Sequence, residues 1–199
     1  MSILSETPGS SGRPNPTRQH LGVHVLDSIP GMPLLILTVV GDDRAGLVAA
    51  LAEVVTAHGG NWERSELAEL AGTFAGIVEV SVPTEQTAAL SQALNSLDGL
   101  LKITAHQGSA EVPGEWPLLN LTVLGNDRPG IVREISTALS RHQLSIEHLS
   151  SKTIDAPMAG GRLFEASVTA RMPVDADLTA IRADLEELAA EIQVDLQLS

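Results

Sequence analysis

The sequence predicts an α+β chain built of two tandem βαββαβ units, and three observations predict it. LLILTVVGDDRAGLV at 34–48 recurs as LLNLTVLGNDRPGIV at 118–132, an offset of 84 (the difference between 118 and 34), and the register continues without gaps to Glu63 and Glu147. Each copy then runs through the same order of strand-like and helix-like hydrophobic patterns. Two segments rich in Pro, Gly and Ser, residues 1–33 and 107–117, fall outside that pattern.

Residues 1–33 carry Pro8, Pro14, Pro16, Pro30 and Pro33 with Gly9, Ser10, Ser11 and Gly12. Such a segment buries little, and we expect a disordered extension without a function of its own. The first unit spans 34–106, QGSAEVPGEWP at 107–117 is the linker, and the second unit spans 118–199.

The first strand is Leu34–Val40 in one unit and Leu118–Leu124 in the other, both aliphatic and β-branched. A helix follows, with Leu47, Val48, Leu51, Val54 and Val55 on one face, and Ile131, Val132, Ile135 and Leu139 in the second unit. Val78, Val80 and Val82 alternate with polar residues, as do Phe164, Ala166, Val168, Ala170 and Met172; both are half-buried strands. The second helix carries Leu90, Leu94 and Leu97 before Gly99, a helix-terminating glycine, and Leu178, Ile181, Leu185 and Leu188 in the other unit. The last strand is Leu100–His106 in the first unit; in the second, Ile192, Val194, Leu196 and Leu198 alternate with Gln193, Asp195 and Gln197.

The order βαββαβ is the split-βαβ, ferredoxin-like arrangement: an antiparallel four-stranded sheet with both helices on one face. The other face is bare and the sheet has open edges. Tandem copies can pair edges or stack faces, within the chain or across a dimer, and a homo-oligomer is expected.

Composition excludes several function classes. Hydrophobic residues make up 43% of the 199 but aromatics only 2%, so the core is aliphatic. The net charge of −13 offers little to displace counterions from a phosphate backbone, which argues against direct nucleic-acid binding and against anionic membranes. With no cysteine there is no disulfide, no thiolate metal site and no Cys nucleophile. No basic n-region precedes an apolar stretch, and no apolar run reaches about 18 residues, so a cytoplasmic protein is expected.

The loop between first strand and first helix is the strongest local signal: G-D-D-R-A-G at 41–46 and G-N-D-R-P-G at 125–130. Its glycines allow backbone geometry that other residues resist, and Pro129 suits the first turn of a helix. A helix N-terminus offers free N–H groups and a positive dipole end to an anion such as a carboxylate. The spacing is also that of a phosphate-binding P-loop, but Leu47–Val48 and Ile131–Val132 stand where Lys and Ser/Thr are needed, and Asp42 and Asp43 repel phosphate. A zwitterion fits better, with its carboxylate at the helix start and its ammonium on Asp43 or Asp127.

The repeated D-R-[AP]-G-[LI]-V motif after a strand, the βαββαβ order and the tandem copies resemble the ACT domain family. Within it the chain is similar to the glycine cleavage system transcriptional repressor type, which is little more than two ACT domains. The resemblance covers about 34–199. It implies that an amino acid binds where two ACT units meet, using the first loop and the start of the second strand. Carried across, the ligand residues are Asp43, Arg44, Ala45, Gly46 and Leu47 with Asn61 and Trp62. In the second unit they are Asp127, Arg128, Pro129, Gly130 and Ile131 with Ser145 and Ile146. Many members have Asn at the second-strand start; Asn61 keeps it, and Ser145 departs from it.

Plainer roles stand beside these. Asp43 and Asp127 are also placed to cap the following helix. Arg44 and Arg128 could pair locally with acids. Gly46 and Gly130 serve turn geometry, Asn61 a turn, and Trp62 packing. His58 and His142 end a helix, where a cation is mildly favoured, and His148 follows Glu147 without metal-ligand spacing, so no metal site and no cofactor are expected. Asp175 and Asp177 open the last helix, and Asp184, Glu186, Glu187 and Glu191 form a solvated face.

No G-x-S-x-G elbow, Cys–His pair or dinucleotide fingerprint appears, so no enzyme is expected. The resemblance implies a regulator that senses an amino acid or similar effector and acts through a partner, a transcription factor. Two alternatives remain: an oligomerisation module that senses nothing, and an ACT-containing enzyme of the formyltetrahydrofolate deformylase kind, for which the 199 residues leave little room.

Overall fold

The structure is a computed structural model that describes residues 32–108, 116–155, 161–192 and 194–198. It divides between residues 112 and 113 into two compact units. Apart from Met32 and Pro33, the expected extension lies outside the described residues, as does the linker from 109 to 115.

The first unit runs β1 (Leu34–Asp42), α1 (Leu47–Ala57), β2 (Asn61–Leu70), β3 (Thr73–Ser81), α2 (Thr87–Leu94) and β4 (Lys102–Gln107), with short 3-10 turns at Thr84–Gln86 and Asn95–Leu97 flanking α2. The second runs β5 (Leu118–Asn126), α3 (Ile131–Arg141), β6 (Ser145–Asp155), β7 (Arg162–Arg171), α4 (Leu178–Ile192) and β8 (Val194–Leu198). The sheets have the orders β2-β3-β1-β4 and β6-β7-β5-β8, with antiparallel neighbours throughout. Each unit therefore has the ferredoxin-like fold expected from its patterns.

Alternation places the core. Leu35, Leu37 and Val39 of β1 and Val78 and Val80 of β3 are buried together with Leu47, Leu51 and Val55 of α1 and Leu90 and Leu94 of α2. In the second unit Leu119, Leu121 and Val123, Phe164 to Met172 at every second residue, Ile131, Ile135, Leu139, Ile181 and Leu185 do the same. Burying each Val, Leu, Ile, Phe or Met side chain among them contributes about 1.5–3 kcal/mol. The opposite face stays open: Thr38 and Val40 are exposed, and on β5 Asn120 accepts from the Thr169 hydroxyl at 3.0 Å.

Several elements depart from the sequence reading. Val48 and Val132 lie outside the core, 44% and 40% exposed, because the buried stripe follows i, i+4, i+8 from Leu47 and from Ile131. Leu178, the first residue of α4, is 56% exposed. Ile192 ends α4 and does not open the last strand. In the first unit the last strand begins at Lys102, after a turn in which Leu100 and Leu101 both donate to the Leu97 carbonyl and Gly99 has φ 91°. It also continues through Gln107, a residue read as linker. Pairing starts one residue ahead of each first strand, where Pro33 and Pro117 accept from Val82 and Met172.

Candidate functional site

The D-R-x-G loop joins the end of β1 to the start of α1. Gly46 is the residue that precedes the helix, with φ 93°, and no side chain caps it. Gly130 repeats this before α3, again with φ 93° and no side-chain cap. That left-handed conformation suits glycine and turns the chain into the helix at once. Asp43 and Asp127 lie three residues earlier and do not cap, so the capping reading is corrected. Pro129 likewise stands before the helix and not in its first turn. Without a cap, the first-turn N–H groups of α1 have neither intrahelical nor side-chain partners among the described residues, and they carry the positive end of the helix dipole.

Gly41 has a different reason for being glycine. A Cβ there would sit 2.4 Å from the Leu100 carbonyl oxygen, so the requirement is close backbone approach.

The loop is tied down by turns from elsewhere in the unit. Asp43 N–H donates to the Gly72 carbonyl at 2.8 Å, in the turn between β2 and β3. Arg44 Nη2 donates to the Gly99 carbonyl at 2.7 Å, in the turn before β4. In the second unit Asp127 N–H donates to the Arg162 carbonyl at 2.8 Å. Asp43, Arg44, Ala45 and Gly46 are exposed, while Leu47 is buried and anchors the helix. The counterparts are more covered: Arg128 and Gly130 are half-buried, Pro129 and Asp127 exposed, Ile131 buried.

Arg128 differs from Arg44. Both its terminal nitrogens donate to the Glu134 carboxylate in the first turn of α3, Nη1 at 3.1 Å and Nη2 at closer range. These hydrogen bonds, with the charges of Arg128 and Arg133, hold the Glu134 carboxyl below its ordinary range. Sequence reasoning missed Glu134. Its signal was present, since an acid in a helix's first turn faces the dipole and the matching position of α1 is Ala50.

The second-strand residues are elsewhere. Asn61 pairs with Ser81, which pairs with Leu34, whereas Asp42 pairs with Thr73. Strands β1 and β2 run in the same direction with β3 between them, so Asn61 and Trp62 lie beside the start of β1 and the loop lies beyond its end. At about 3.3 Å per residue, roughly 26 Å separates them. Ser145 and Ile146 are placed likewise, across from Arg171 and Ala170. The structure therefore brings the loop residues together in each unit but does not bring the second-strand residues to them.

Asn61 Nδ2 donates to Glu63 Oε1 at 3.0 Å, and the Ser81 hydroxyl donates to the same oxygen at 2.5 Å. The pairing slips at Glu63, and the equivalent slip holds Glu147, which pairs with Arg171 at 2.8 Å. Trp62 is half-buried against the core, as its packing role requires. His58 Nδ1 lies 2.8 Å from the Val54 carbonyl at the end of α1, and His142 Nε2 lies 2.8 Å from Asp184 of α4. Among the described residues no group of three or more His, Asp or Glu could hold a metal ion, and no helix is long and apolar enough to cross a membrane.

Comparison with known proteins agrees with this architecture. Family models described as the ACT domain match residues 33–106 and 120–186. The chain is 26% identical over 165 residues to the glycine cleavage system transcriptional repressor of Escherichia coli (strain K12), covering 79% of this chain and 85% of that protein. A UPF0237 protein of Methanopyrus kandleri is 33% identical over 76 residues, 38% of this chain and 79% of the relative. A crystal structure of an unknown protein from Galdieria sulphuraria superposes with a TM-score of 0.77 at 28% identity, covering 84% of this chain and 98% of that one. With two matched domains that take up most of its length, the chain belongs to the ACT domain family.

Proposed function

We propose that the protein is a regulator that senses an amino acid through its D-R-x-G loops and acts through a protein partner, without catalysis of its own. The observation that carries this reading is the first loop. An uncapped helix start, the Arg44 guanidinium and the exposed Asp43 carboxylate offer both charges that a zwitterion needs. A relative that covers most of the chain is named as a transcriptional repressor, which favours a transcription factor as the partner. The charge of −13 favours regulation through that partner over direct DNA contact. Residues Asn61 and Trp62 lie at the far end of their own sheet and stand outside this reading of the first-loop site.

A thermal-shift screen of the full chain against the twenty amino acids tests this. At a concentration of one hundred times Kd, an effector stabilises by about 2.7 kcal/mol, a rise of several degrees for a domain of this size. A flat screen sinks sensing in favour of the plain interaction module, and turnover of formyltetrahydrofolate would point to the enzyme.

A further inference from the structure

The duplicated loops share sequence and backbone, yet they differ in what lies over them. Positions 49 and 50 of α1 are both alanine, and their equivalents in α3 are Arg133 and Glu134. Glu134 reaches back to Arg128, accepting from both terminal nitrogens, and its Oε1 lies 3.8 Å from Arg133 Nη2. It also lies beside the helix start. A Cβ built on Gly130 would lie 3.5 Å from Glu134 Oε1 and from Arg133 Nη2, whereas one built on Gly46 meets nothing within 4 Å. At the first loop, Arg44 donates to the neutral Gly99 carbonyl.

We propose that Glu134 is a built-in carboxylate that occupies the anion position of the second loop, so that an amino acid from solution binds at the first loop alone. This rests on the reading of the loops as amino-acid sites. The group on Arg128 is the group an amino acid would bring: a planar carboxylate that takes two parallel N–H donors from one guanidinium. Carried on the adjoining helical turn, it presents itself at an effective concentration of order millimolar or more. A free amino acid below that level loses the competition. The first loop has only alanine at the same place and stays open. Duplication has thus produced one site for an external ligand and one that is internally satisfied.

Calorimetric titration of the full chain with each of the twenty amino acids tests this, using the parent, Glu134→Ala, Glu134→Ala with Arg128→Ala, and Arg44→Ala. The parent should bind one amino acid per chain. Glu134→Ala, which installs the first unit's residue, should bind two, and adding Arg128→Ala should return the count to one. Arg44→Ala in the parent should weaken binding at least tenfold. Two equivalents bound by the parent, or one equivalent bound by a folded Glu134→Ala, overturns the proposal while amino-acid sensing stands. If neither the parent nor Glu134→Ala binds any of the twenty, the sensing reading itself fails and this proposal with it. Glu134→Gln, which keeps the shape of the side chain without its charge, covers the case in which alanine does not fold; with it, a second equivalent of weaker affinity is expected and one equivalent refutes.

Discussion

The Arg44 guanidinium donates to the Gly99 carbonyl at 2.7 Å across 55 residues of sequence. A charged side chain of the D-R-x-G loop is thereby fixed to the turn before the last strand of the same unit. Among the described residues Asp43 is held through its backbone N–H alone, and its carboxylate is exposed. The two neighbours thus separate into an arginine positioned by the fold and an aspartate whose carboxylate faces solvent.

Asp43→Asn should therefore leave stability within about 0.5 kcal/mol of the parent, since no cap is lost. It should weaken amino-acid binding tenfold to a hundredfold, the equivalent of about 1.5–3 kcal/mol for a charge-assisted hydrogen bond. Asp127→Asn should do less and leave binding at the first loop unchanged. Calorimetry of both variants checks this; unchanged affinity in Asp43→Asn removes Asp43 from the site.

Two glycines of the loop should differ when changed to alanine. Gly46→Ala meets open space but keeps φ near 93°, and should cost about 1–2 kcal/mol. Gly41→Ala places a Cβ 2.4 Å from the Leu100 carbonyl, so the backbone must move and the cost should be larger, about 3 kcal/mol. Urea denaturation of the two variants decides the order.

The capping role expected of acids at helix starts falls to Asp177. Its Oδ1 accepts from the N–H groups of Thr179 at 2.9 Å and Ala180 at 3.1 Å. Asp177→Ala should cost about 1 kcal/mol, whereas Asp175→Ala should be close to neutral. Equal thermal shifts for the two would contradict the assignment.

Acid should reveal the Arg128–Glu134 pair. Glu134 is held below its ordinary value of 4.5, chiefly by the hydrogen bonds from Arg128. A carboxyl lowered on folding adds stability that is fully present above the ordinary value and is lost as pH falls through the lowered one. The parent should thus lose more stability than Glu134→Gln between neutral pH and pH below 4.5. Urea midpoints measured across that range give the comparison, and parallel profiles refute it.

Much of this was legible in the residues. Strict alternation in Phe164 to Met172 fixes which face of β7 is buried, because side chains in a strand point to opposite faces in turn. The offset of 84 revealed the duplication and located both loops. Val48 and Val132 differ: an apolar residue in a helix's first turn satisfies the helical pattern without reaching the sheet. At Asp43 the plainer capping role does not hold, since a possible cap and an actual cap differ by where the helix begins, and Gly46 decides that through its positive φ.

Local chemistry belongs to the sequence: the period of each element and the replacement of Ala50 by Glu134 follow from residue type and spacing. Distance belongs to the tertiary structure. Because β3 intervenes between β1 and β2, Asn61 and Asp43 end up at opposite ends of one sheet although only 18 positions separate them. Arg44 and Gly99, far apart in the chain, become hydrogen-bonded. The reason is physical: hydrophobic patterning specifies which faces are buried, but strand order and direction decide which chain ends meet, and those emerge only when all four strands pack at once.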